Sequence, residues 1–149
     1  VESANINFED PRANLWEGFT YAKMGNFQEA LRAYGNALAA SDRYTPAYLN
    51  RGLAYMALGE YEKALADFSD AVRLEPTNPD YYFKRGLAYE ALGNFEKASE
   101  SFAAAIEFNN EHAAAYRHLS DTMQQLGRTD LATQYRSRAD QLDPPKKAE

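Results

Sequence analysis

Two histidines, a large set of carboxylates and a scatter of lysines and arginines are the side chains of this sequence that could do chemistry. His112 and His118 stand six residues apart. Metal-binding histidines on one helix sit four apart so that both leave the same face, and a spacing of six does not achieve this. Cysteine is absent, which removes disulfides, thiolate ligands and thiol nucleophiles together and says little about redox compartment. A catalytic carboxylate pair needs a pocket to hold it, whereas the acids here are spread along the chain. No glycine pattern of the phosphate-cradling or dinucleotide type occurs. These residues predict no enzyme, no metal site and no cofactor.

The elements that must position the side chains follow from a pattern that returns every 34 residues, four times, without insertion or deletion. Gly25, Gly59, Gly93 and Gly127 keep that spacing, as do Ala30, Ala64, Ala98 and Ala132, and then Ala37, Ala71, Ala105 and Ala139. The same register aligns Gly18, Gly52, Gly86 and Ser120, and also Tyr34, Phe68 and Phe102. A period in this range marks a stacked array of paired helices.

One repeat shows how the pairs arise. Thr45 followed by Pro46 reads as a hydroxyl N-cap before a proline at the first helical position, where no amide bond is lost. Asp10-Pro11 and Asn78-Pro79 repeat the device, and Asn110 caps without proline. The first helix runs to Leu58 and Gly59, glycine being able to take the left-handed conformation that ends a helix. A second helix spans about Tyr61 to Leu74, stopped by Glu75-Pro76. Gly52 is expected to face Ala64 where the two axes approach, with Tyr55, Tyr61 and Phe68 filling the remaining wedge as core.

The order Tyr48, Gly52, Tyr55, Gly59, Tyr61, Ala64, Phe68, Ala71 and Pro76 resembles the tetratricopeptide repeat, in phase over residues 11–146. The resemblance implies an all-α fold, a right-handed α-solenoid of four helix-turn-helix units with eight helices. It would form a single domain of repeats 11–44, 45–78, 79–112 and 113–146, after an N-terminal segment 1–10 and before a tail 147–149. First helices would line a concave groove and second helices the convex back. The function implied is a non-enzymatic scaffold or adaptor that binds a peptide or helix of a partner protein. The fourth repeat departs from the pattern: Thr129, Arg136 and Asp140 replace apolar residues that would pack on a fifth repeat. They read as a polar C-terminal cap. At the other end, Phe8 is expected to fold back over the edge of the first helix.

The groove candidates lie on first helices. One ladder is Leu15, Leu49, Phe83 and Arg117; another is Phe19, Leu53 and Leu87, ending in Asp121; a third is Trp16, Asn50, Lys84 and His118. The apolar members either pack edge to edge between neighbouring first helices or form an exposed docking stripe, and the sequence leaves both open. Asn50 is a candidate for bonding a ligand's backbone, and Lys84, Arg117, Lys23 and Arg12 for taking an acidic group. A chaperone-type carboxylate clamp is not expected, because only Asn50 matches that pattern outright and Leu15, Phe19 and Asp80 depart from it. Arg51 and Arg85, just before the helix glycines, are expected to pair across repeats with Glu17 and to bond carbonyls. A second class of function stays open, self-association into a homo-oligomer through the groove or through Phe8 and Trp16 at the N-terminal edge.

The net charge of −6 resides in the N-terminal segment and the middle repeats. Most of those acids, among them Glu60, Glu62, Asp67, Asp70, Glu96 and Glu100, fall in second helices and read as a solvated outer wall. Nucleic acid is disfavoured as a partner because clustered Lys and Arg are missing. No apolar run approaches the length of a membrane span, so a soluble and preferably cytoplasmic chain is expected. The sequence starts at Val1, which leaves a removed leader or anchor open.

Overall fold

Eight helices account for nearly all of residues 10–148, the part of the chain described by the structure, a computed structural model. They are α1 (Pro11–Lys23), α2 (Phe27–Ala40), α3 (Thr45–Ala57), α4 (Tyr61–Leu74), α5 (Pro79–Ala91), α6 (Phe95–Phe108), α7 (Ala113–Gln125) and α8 (Thr129–Leu142), and no strand occurs among the described residues. Phe8 and its expected contact lie outside them.

Local chemistry sets the helix ends. Asp10 caps α1 by accepting a hydrogen bond from the Arg12 amide at 2.9 Å, and Asn78 caps α5 from Asp80 at 3.1 Å. Two expected caps are corrected. Thr45 is the first helical residue of α3, not its cap; the flanking position belongs to Tyr44, whose side chain makes no capping bond. At α7 the cap is His112 and not Asn110, because the helix begins at Ala113, and the His112 Nδ1 accepts from the Ala115 amide at 3.2 Å. Each first helix ends before a glycine with positive φ, such as Gly59 at 73°, a conformation that costs any other residue a clash at Cβ.

The chain divides into two compact units, Val1–Glu75 and Pro76–Glu149. In the first, α1 packs on α2, α2 on α3 and α3 on α4, and α1 also touches α3. In the second, α5 packs on α6, α6 on α7 and α7 on α8. Each unit is thus a pair of helix hairpins joined in the order of a helical-repeat solenoid. The core of the first gathers Leu15, Tyr21 and Phe27 around Ala30, Tyr34 and Ala54. That of the second gathers Phe83, Leu87 and Ile106 around Phe102, Leu119 and Met123.

The close approach within each of the first three hairpins brings an aromatic ring onto the glycine. A Cβ on Gly52 would lie 2.5 Å from the ring of Phe68, and one on Gly86 would lie 2.5 Å from Phe102; Gly18 is closed off by Tyr34 in the same way. The glycine therefore makes room for an aromatic ring sixteen residues on. In the fourth repeat the ring is replaced by the exposed Arg136, which pairs with Asp121. Ser120 then stands where glycine was needed, and its hydroxyl donates to the Ala132 carbonyl at 2.7 Å. An open space of about 430 Å3 remains there, lined by polar groups including Ser120, Thr133, Arg136 and Asp140. The outer face of the fourth repeat is polar here, at the positions where the sequence departs from the pattern.

Candidate functional site

On α1, residues 16, 19 and 23 recur at the spacing that puts side chains on one helix face. Trp16 is 68% exposed and Phe19 40%, with their rings edge to face at 5.8 Å. Leu53, on the adjacent α3, is 38% exposed. Leu15 and Leu49 are half-buried, Leu15 resting on the core of the unit. Two hollows open beside Phe19. One, of about 150 Å3, is bounded by Leu15, Trp16, Phe19 and Asn50. The other, of about 250 Å3, is bounded by Phe19, Lys23, Phe27, Asn50 and Leu53, with Ala22, Tyr34 and Ala54 completing its walls.

Asn50 lines both hollows and is anchored, because its Nδ2 donates to the Pro46 carbonyl at 2.7 Å. Its carbonyl oxygen and second amide hydrogen remain available to a ligand. Lys23 holds its Nζ 5.0 Å from the Phe19 ring centroid and has no carboxylate partner among the described residues. Arg12 is spent on Asp10, at 3.0 Å. Lys23 is thus among the anchors the sequence offers, whereas Phe27 joins the hollow without a sequence signal for it, since periodicity locates a ring but not its uncovered edge.

In the second unit the candidates are engaged elsewhere. Phe83 packs on Phe102 at 5.7 Å and on both imidazoles, His112 at 4.8 Å and His118 at 5.5 Å. The two histidines meet on Phe83 because His112 precedes α7 and does not ride on it. Leu87 joins the core of the unit. The His118 Nδ1 lies 3.0 Å from Glu90, and the His112 Nε2 lies 3.3 Å from Asp80. Lys84 sits over the ring of Phe83 at 5.6 Å. Arg117 reaches the end of α8, where it bonds the Asp143 carboxylate at 2.8 Å. The groove candidates thus separate: Leu15, Trp16, Phe19, Asn50 and Leu53 come together around two hollows, whereas Phe83, Leu87, Arg117 and His118 serve packing and ion pairs.

Arg51 does not pair with Glu17. It donates two hydrogen bonds to Asp67 on α4, at 2.9 and 2.7 Å, and Glu17 instead faces Arg32 at 3.7 Å. Asp67 is 3% exposed, so it leaves the solvated wall to which its place on a second helix had assigned it. Burial pushes its carboxyl above the ordinary range, and the bonds from Arg51 oppose this without cancelling it. Arg85 finds Ser101 at the equivalent position, with Nε donating to Oγ at 3.1 Å.

Two family models match the sequence, one described as TPR repeat over residues 52–93 and one as Tetratricopeptide repeat over residues 79–112. No curated protein matches. Among solved structures, a crystal structure of MamA is similar with 23% identity over 92% of this chain and 80% of that one, at a TM-score of 0.87. MamA 41-end from Desulfovibrio magneticus RS-1 is similar with 21% identity over 94% and 79%, at a TM-score of 0.85. At such identities the likeness is one of fold.

Proposed function

The chain is a tetratricopeptide-repeat protein, a protein-interaction scaffold, and from that premise we propose that it holds a peptide or helix of a partner protein on the α1/α3 face of its first unit. The observation that carries this reading is the set Trp16, Phe19 and Leu53, three large apolar side chains left exposed on adjacent first helices around hollows that Asn50 lines with polar atoms. A protein does not ordinarily leave such side chains clustered unless something covers them. Leu15, half-buried, lines the smaller of the two hollows.

The magnitude suits an exchangeable contact. Burying a large apolar side chain fully is worth about 1.5–3 kcal/mol, and these three are already partly covered. Association costs an estimated 4–15 kcal/mol, roughly what the face can return. Weak, reversible binding follows.

The test is a selection from random twelve-residue displayed peptides on the wild-type chain, repeated on the chain carrying Phe19→Asp and Leu53→Asp. Both positions are exposed enough for the double variant to keep its helical signal. Sequences enriched on the wild type should lose binding to the folded variant. Equal binding to both would remove the face as the site. A second reading, self-association through the same face, is favoured by Trp16, the most exposed of the three. It predicts a mass by light scattering that rises with concentration and reverts to monomer in the double variant.

A further inference from the structure

The walls of the two hollows carry one charged side chain, Lys23. Its ammonium is held near Phe19 and is not neutralised by any carboxylate among the described residues. The nearest acid on α1, Glu17, is occupied by Arg32, itself bound to Glu29 at 2.8 Å. The chain is acidic overall, so an unpaired lysine at the mouth of an apolar hollow is a local exception to its charge.

Resting on the reading above, we infer that the segment bound on this face is an acidic, apolar peptide, with two apolar side chains seated on either side of Phe19 and a carboxylate on Lys23. Asn50, common to both hollows, meets the peptide backbone between the two apolar anchors. The order is set by the walls. The smaller hollow, beside Trp16, contains no charge; the larger, toward Phe27, contains Lys23. The acid therefore flanks the second apolar anchor and not the first. A basic peptide would leave Lys23 facing a like charge, which is destabilising.

Trp16 is the single tryptophan of the chain and borders the smaller hollow, so its emission reports occupancy directly. The probes are acetylated and amidated nine-residue peptides with two leucines separated by one to four residues. They form three series, with glutamate, glutamine or lysine beside the second leucine. The full chain is titrated with each at low salt, with emission from Trp16 read. We expect a blue shift with the glutamate series, affinity about 3–5 times weaker with glutamine, and weaker again with lysine. Lys23→Glu, at an exposed position, should invert the order of the glutamate and lysine series, and Lys23→Gln should flatten it. Equal affinity across the three series would overturn the acidic preference while leaving the face as a peptide site. An order that Lys23→Glu does not alter would overturn the role of Lys23. Loss of the shift for every series would remove both this inference and the reading on which it rests. A shift that follows protein concentration, without any peptide, would make a second copy of the chain the occupant and overturn the proposal.

Discussion

Asp67 is the acid whose surroundings differ most from what its position in the repeat suggests. It lies on a second helix, where neighbouring acids face water, yet it is buried and takes both bonds from Arg51. Asp67→Asn keeps one acceptor oxygen and turns an amide N–H toward the guanidinium, so one of the two bonds from Arg51 is lost and the expected loss is about 1–2 kcal/mol in denaturant unfolding. The pH dependence has a definite sign. Burial holds the Asp67 carboxyl above its ordinary 3.8, so the folded chain keeps a proton there after the unfolded chain has released it. The contribution of this group to stability is therefore fully present below 3.8, declines as pH rises to the elevated value, and is constant above it. The melting temperature of Asp67→Asn should lack that component of the decline; identical acid-side profiles for variant and wild type would contradict the assignment. The signal for the pair was in the sequence, since Arg51 and Asp67 stand sixteen apart in one repeat, with Arg85 and Ser101 aligned to them. Helical position alone concealed it.

At the scale of the helix hairpin, what matters is the meeting of a glycine on one helix with a ring on the next. Gly52→Ala would gain about 1 kcal/mol in helix propensity, but its Cβ would sit 2.5 Å from Phe68, inside any real contact, and overpacking costs about 1–3 kcal/mol. The clash dominates. Gly52→Ala should destabilise the chain, and Phe68→Leu in the same chain should make the second substitution less costly than in the wild type, as measured by a double-mutant cycle. Additive losses would mean that the two residues do not meet. The 34-residue register made the hairpins legible, down to the bounds of α4 at Tyr61–Leu74. It did not show that the Phe68 ring closes over Gly52, because the period fixes where Phe68 starts and not where its ring ends. The caps divide similarly. Asp10 and Asn78 precede a proline and a helix as expected, whereas Thr45 falls inside its helix and His112 displaces Asn110. A boundary shift of one or two residues suffices to change which side chain reaches the free amides.

At the scale of the whole chain, the repeats share a scaffold and differ in what their first helices leave uncovered. The first unit exposes Trp16, Phe19 and Leu53 around Asn50 and Lys23. In the second unit the equivalent positions hold His118, Leu87 and Lys84, and Phe83 is enclosed by two imidazoles and Phe102. The stripe of ladders in the sequence runs through both units without distinguishing them, because a leucine or phenylalanine at a first-helix position reads the same whether its neighbours cover it or not. Burial separates them and confines the candidate face to α1 and α3. The most direct measurement of the central claim is an amide chemical-shift map of the full chain titrated with a peptide selected on it. The shifts should concentrate at Trp16, Phe19, Lys23, Asn50 and Leu53. Shifts on the second helices or within residues 76–149, with those five unchanged, would contradict it.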